Sequence, residues 1–160
     1  FPGLPLRIAF PDIRMTLIEA TAKKTTFLRH VSRVLGLSDV QVITGRAEIL
    51  ARDPGLRESF DVVLSRAVAK LSVLAELTLP FCSINGLVIA QKSADVDEEI
   101  KYAESAIETM GGTVREVKEV VAGESDHGEV LVVLEKMTPT PDRYPRRPGI
   151  PAKRPLRAAN

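Results

Sequence analysis

The sequence predicts an α/β protein, an open and mostly parallel sheet wrapped by helices and closed at its carboxyl end by an antiparallel hairpin. Short apolar runs of strand length alternate with amphipathic helical stretches over most of the chain, which is the pattern of a doubly wound sheet with right-handed crossovers. The run from Phe60 to Leu64 is nearly continuous in apolar residues, as in a parallel strand buried on both faces. The third sign lies near the end. Thr113 to Val121 and Glu129 to Lys136 both read as strands, and the segment between them, Ala122 to Gly128, is too short for a parallel crossover, so the two should pair as a hairpin.

In order, Arg14 to Glu19 reads as a short strand, with Met15, Leu17 and Ile18 apolar. A helix follows with Phe27, Leu28, Val31, Val34 and Leu35 on one side, ended by Gly36. Val40 to Ile43 is the next strand, bounded by Asp39 and Gly45. After a Pro54-Gly55 turn comes the strand from Phe60. Leu71, Leu74, Leu77 and Phe81 space a helix by threes and fours, an Asn85-Gly86 turn follows, and Leu87 to Ala90 is a strand. Val96, Ile100, Ala103, Ile107 and Met110 mark a last amphipathic helix that stops at Gly111-Gly112. Beyond Met137 prolines recur at 139, 141, 145, 148, 151 and 155, a spacing that leaves no room for a regular helix. The expected division is a sheet domain over 1–137 and a tail over 138–160.

At 160 residues, 44% hydrophobic and 27% charged, the chain has the size and balance of one globular domain. Its longest apolar run, Val130 to Leu134, falls far short of the roughly 20 residues that span a bilayer, so no membrane segment is expected. The single cysteine, Cys82, excludes a disulfide framework within the chain and fits a reducing cytoplasm. Two histidines, His30 and His127, have no acids or cysteine arranged beside them for a triad or a metal site, so no metal is expected. No glycine loop with a following lysine supports nucleotide hydrolysis. The net charge of +1 is unevenly spread: the segment from Thr138 to Asn160 holds six cations and one anion, Asp142. That segment reads as a phosphate-binding arm or as a solvated, partly disordered terminus.

Ligands of doubly wound sheets lie at the carboxyl ends of the strands, which directs attention to four places. Phe1-Pro2-Gly3-Leu4-Pro5 could be the exit of a turn into a helix whose amides favour an anion. Glu19 ends a strand where an acid can accept both hydroxyl hydrogens of a ribose, and an exposed glutamate at a helix start accounts for it as well. Gly45-Arg46-Ala47-Glu48 follows the second strand. Amides around Ala47 and the Glu48 side chain could meet the edge of an adenine, or the segment is an ordinary helix cap. Arg66 lies at the end of the Phe60 strand, placed for a carboxylate or a phosphate, or for a structural acid.

Together these segments resemble one family, the small-subunit (16S) ribosomal RNA guanine-N7 methyltransferases, also called the glucose-inhibited division protein B family. The resemblance runs essentially end to end, through FPGLP at Phe1 to Pro5, KTTFL at Lys24 to Leu28, GRAE at Gly45 to Glu48, FDVVLSRAVA at Phe60 to Ala69, Asn85-Gly86, and TPTPDRYPRRPGIPAKRPL at Thr138 to Leu156. The proline-spaced basic tail is the most specific of these. One departure is Ala90-Gln91-Lys92, where the family pattern has a Leu-Lys pair directly after the strand.

The resemblance implies a class I S-adenosylmethionine-dependent methyltransferase, a Rossmann-like doubly wound sheet ending in an antiparallel hairpin. It also implies that the first strand and the Asp-x-Gly-x-Gly-x-Gly loop of the family precede Phe1 and are absent here, so these 160 residues alone are not expected to be a competent enzyme. The methyl donor implied is S-adenosylmethionine, with Phe1 beside the cofactor loop, Glu19 at the ribose, Ala47 and Glu48 at the adenine, and Arg66 on the cofactor or RNA side of the cleft. The tail cations Arg143, Arg146, Arg147, Lys153 and Arg154 would face the partner, 16S ribosomal RNA or the small ribosomal subunit. No residue is assigned as catalytic acid or base. The alternatives are a class I methyltransferase with another substrate and a non-catalytic RNA-binding module.

Overall fold

A computed structural model describes residues 2–37, 39–66, 69–93, 96–120 and 128–157. Its elements run α1 (Gly3–Ala9), β1 (Thr16–Glu19), α2 (Ala22–Val34), β2 (Gln41–Thr44), α3 (Ala47–Leu50), β3 (Phe60–Arg66), α4 (Leu71–Thr78) with a 3-10 turn at Leu79–Phe81, β4 (Cys82–Ser93), α5 (Asp97–Thr109), β5 (Gly112–Val120), β6 (Glu129–Lys136) and α6 (Ile150–Lys153). The expected alternation is present, and so is the closing hairpin: β5 pairs β6 antiparallel, and β6 runs antiparallel along β4.

The strands form two sheets: β1 and β2 pair in parallel, and a four-stranded sheet has the order β3-β4-β6-β5, with β3 and β4 parallel. Among the described residues, the edge of β1 away from β2 and the edge of β3 away from β4 have no strand partner. Val62 of β3 is 48% exposed.

The core lies where α4 and α5 cover β4 and β6. Val88 and Ala90 of β4 register with Leu134 and Val132 of β6, and all four are buried against Leu71, Leu74, Ala103 and Ile107. Period-two strands meeting helices of period 3.6 produce this single apolar layer.

Two expectations need correction. Asn85-Gly86 is not a turn before a strand but lies inside β4, which begins already at Cys82. There the register with β3 slips between Phe60 and Val62, Asn85 takes a positive φ of 65°, and a Cβ on Gly86 would sit 2.7 Å from the Asp61 carbonyl oxygen. A bulge that tolerates this needs the permissive pair Asn-Gly. The proline-rich tail does hold a helical turn, α6, because Pro151 sits in the first positions, where no backbone N–H is required.

The tail packs closely on the domain. Thr138 donates its amide to Gly111. The guanidinium of Arg57 donates to the carbonyls of Thr140 at 2.7 Å and Tyr144 at 3.1 Å. Arg52 donates to the carbonyls of Asp142, Arg143 and Pro145. Glu76 of α4, fully buried, takes a two-pronged ion pair from Arg146, at 2.6 Å between Nη2 and Oε2, and accepts the Arg146 amide at 2.7 Å. The carboxylate raises the pKa of this arginine further.

Removing one partner of a buried pair leaves an uncompensated charge, at a cost of about 3 kcal/mol or more. Arg146→Met should therefore lower the urea midpoint clearly, while Arg147→Met, at an exposed neighbour, should shift stability by no more than about 0.5 kcal/mol. Equal effects of the two in urea titrations would show that the Glu76 pair does not hold the tail.

Candidate functional site

Each predicted strand-end residue has a definite setting. Glu19 closes β1, and its Oε1 accepts the Thr21 amide at 2.8 Å, the bond that turns the chain into α2. Its Oε2 lies 3.5 Å from the Lys24 ammonium. The Thr21 amide, with Lys24 behind it, holds this carboxyl below the ordinary glutamate value of 4.5 despite partial burial. Glu19 is thus an ionised, half-buried acceptor with oxygen lone pairs to spare.

Ala47 and Glu48 open α3 directly after β2. The Glu48 side chain, 6% exposed, turns inward: its Oε1 accepts from Arg46 at 3.0 Å and from the Gly149 amide of the tail at 2.9 Å. One oxygen of its carboxylate thus fastens the tail to this turn.

Arg66, half exposed, ends β3 at the register position of Gln91 and lies 3.8 Å from Glu129 of β6, which also accepts a hydrogen bond from Gln91. The pair is long and wet, and it leaves the guanidinium free to exchange Glu129 for a stronger anion. Beside it the hydroxyl of Ser65 is buried without a hydrogen-bond partner among the described residues. Phe1 lies outside the described residues.

No hydrogen bond or ion pair joins Glu19, Ala47 and Arg66 to one another among the described residues. Of the tail cations, Arg143, Arg147, Lys153 and Arg154 are exposed, whereas Arg146 is half-buried and bound to Glu76 through Nε and Nη2. Arg143 also lies 5.1 Å over the Tyr144 ring.

Several residues escaped the sequence reading. Lys92 braces the end of β4, donating to Glu99 of α5 at 2.8 Å and to the Ala69 carbonyl, and the same Glu99 oxygen accepts the Leu71 amide that starts α4. Spacing gave no hint of Glu76, Arg52, Arg57 or Lys136, whose partners lie four to ninety-three residues away. Burial pushes the Cys82 thiol up to about 11, so it is protonated near neutrality and offers no nucleophile. No group of His, Cys, Asp and Glu among the described residues could hold a metal ion, and no described helix is long and apolar enough to cross a membrane.

The model of the rRNA small subunit methyltransferase G family matches residues 1–127. The chain belongs to this family. Ribosomal RNA small subunit methyltransferase G of Dehalococcoides mccartyi is 52% identical over 156 residues, and that of Roseiflexus sp. (strain RS-1) is 48% identical; each match covers 98% of this chain. The chain spans 66% of the length of these relatives. Among solved structures, the antibiotic-resistance methyltransferase Kmr superposes with a TM-score of 0.64 at 14% identity, covering 85% of this chain and 81% of that one. TYW2 of M. jannaschii, solved in complex with AdoMet, gives 0.61 at 18% identity, covering 86% and 67%. The fold is that of the class I methyltransferases.

The Glu48 fastener responds to pH. Burial raises its pKa, but the Gly149 amide and the Arg46 guanidinium outweigh burial and leave it below 4.5. A carboxyl with a depressed folded pKa adds stability that is complete above its unfolded value and is lost as pH falls through the folded one. The thermal midpoint of Glu48→Gln should therefore lie below that of the native chain at pH 7, and the gap should close on acidification below 4.5. A gap independent of pH would remove the carboxylate from this role.

Proposed function

We propose that the protein carrying this chain is a cytoplasmic enzyme that transfers the methyl group of S-adenosylmethionine to N7 of a guanine in 16S ribosomal RNA, presented as naked RNA or within the small subunit. The observation that carries this reading is membership of the methyltransferase G family at 52% identity across 98% of the chain. The residues present fit the methyl donor. An ionised acid at the end of β1 suits the two hydroxyl donors of a ribose, and the amides at Ala47 and Glu48 suit the edge of an adenine. The Ser65 hydroxyl, without a hydrogen-bond partner among the described residues, and the loosely paired Arg66 supply polar groups beside β3.

When bound, S-adenosylmethionine supplies an electrophilic methyl group on a sulfonium. Guanine N7 carries an in-plane lone pair and no proton, so the chain has no proton to remove. His30 is exposed on α2 beside Arg33 and is assigned no proton transfer; His127 is outside the described residues. What remains for the protein is alignment, and effective molarities on the order of 10⁵ M or more are attainable when reactants are well oriented. Arg143, Arg147, Lys153 and Arg154, fixed by the docked tail, supply phosphate contacts that bring the RNA to the cleft.

Glu19→Gln keeps the shape and removes the charge, so affinity for S-adenosylmethionine in isothermal titration of the protein at the length of its relatives should fall by about 1.5–3 kcal/mol. Unchanged affinity would remove Glu19 from the ribose. Charge reversal of Arg147 and Lys153 together should weaken RNA binding and reduce the slope of log affinity against log salt by about 1.4, or 0.7 per phosphate of a single strand. An unchanged slope would show that the tail does not face RNA.

A further inference from the structure

Helix α2 has a charge pattern that the proposed cofactor site and the tail leave unused. Among its 13 residues Lys23, Lys24, Arg29 and Arg33 are cationic and none is acidic. An exposed helix with one sign of charge gains nothing from opposite-charge pairs along its own surface, and Arg29 and Arg33, at i and i+4, repel each other. Two of the cations have local work. Lys24 lies beside Glu19, and Arg29 donates to the Val42 carbonyl and the Thr44 hydroxyl on the edge of β2 away from β1. Lys23 and Arg33 form no ion pair among the described residues.

The outward stripe of α2 is Lys23, Thr26, Phe27, His30, Arg33 and Val34, spaced by threes and fours and exposed throughout. Arg33 and His30 stand side by side, 3.3 Å between Nη2 and Nδ1. They line a surface groove of about 320 Å³ together with Thr26 and Arg29. Phe27, 64% exposed, stands on the same face between Lys23 and His30. A bare aromatic ring alone would suit a protein partner. Set among cations that have no ion pair among the described residues, and with no acid on the helix, it matches a polyanion with flat apolar faces, which is single-stranded RNA. α2 packs on β1 and β2, whereas the tail docks along α3 and α4, so this surface is separate from the cations of the tail.

We infer that the outward face of α2 is a second docking surface for single-stranded RNA, in which Lys23, His30 and Arg33 hold phosphates and Phe27 stacks on an unpaired base. The inference rests on RNA being the substrate, and it assigns a second grip on that substrate. Two grips on one strand raise the effective concentration of each for the other, so loss of either weakens the whole.

The test is fluorescence anisotropy of the full chain with a labelled unstructured RNA of about 20 nucleotides, titrated over a range of salt. The double variant Lys23→Glu with Arg33→Glu should lose affinity and lower the salt slope by about 1.4. Phe27→Ala should weaken binding about tenfold with the slope unchanged, since stacking releases no counterions. The tail double variant Arg147→Glu with Lys153→Glu runs beside them. All the substituted side chains are exposed, so an unchanged thermal midpoint certifies the fold of each variant. If the tail variant weakens binding and the α2 variants bind as the native chain does, the inference falls and the RNA reading stands. If neither the native chain nor any variant binds RNA with a salt dependence, both fall. If Phe27→Ala leaves RNA affinity intact but abolishes self-association in sedimentation, the face belongs to a protein contact and the inference is overturned.

Discussion

Lys136 stands where the alternation of β6 calls for another Val or Leu after Val130, Val132 and Leu134, and its ammonium group is fully buried. The group is not orphaned. It donates to the carbonyls of Leu79 at 3.1 Å and Met110 at 2.8 Å and to the Thr140 hydroxyl, and it pairs with Glu58 at 3.2 Å. Burial pushes its pKa down and Glu58 opposes that push. One cation therefore joins the ends of α4, α5 and β6 to the start of the tail. A buried charge is tolerated only when every donor is met, so the four segments must arrive together.

From that junction the rest of the tail follows. Thr140 is set by Lys136 and Glu58, Arg57 and Arg52 take the next carbonyls in turn, Glu76 fixes Arg146, and Glu48 receives Gly149 beside the end of β2. Prolines at 141, 145 and 148 remove amides that the docked segment would have to satisfy. The result is an arm whose backbone is bound to the domain while Arg143, Arg147, Lys153 and Arg154 project outward. A cation on an ordered backbone loses less entropy on meeting a phosphate than one on a free terminus.

Much of the fold was legible because it is local. Apolar periodicity placed β1, β2, α4, α5 and the closing hairpin within a few residues, and strand ends pointed to Glu19, Ala47 and Arg66 without any knowledge of tertiary contacts. What stayed hidden depends on partners distant in sequence. Glu76 reads as one more polar residue on a helix, Arg52 and Arg57 as loop charges, and Lys136 as the end of a strand; only the folded chain brings the tail to them. The same limit explains Glu48, whose side chain looks free until Gly149 arrives from 101 residues away. The order of the strands is equally non-local, and among the described residues it leaves β1 and β3 each with an edge that has no strand partner. Those edges carry the backbone groups next to Glu19 and Arg66, the two strand-end side chains on which the cofactor reading most depends.

The most direct measurement is the fate of a tritium-labelled methyl group. The protein carrying this chain at the length of its relatives is incubated with labelled S-adenosylmethionine and small ribosomal subunits or their naked RNA, and the RNA is digested to nucleosides. Label should appear in N7-methylguanosine from the small-subunit RNA and should fall sharply with Glu19→Gln. Label in another nucleoside, or none in either substrate while S-adenosylmethionine is bound, would contradict the assignment of this chain to guanine-N7 methyl transfer.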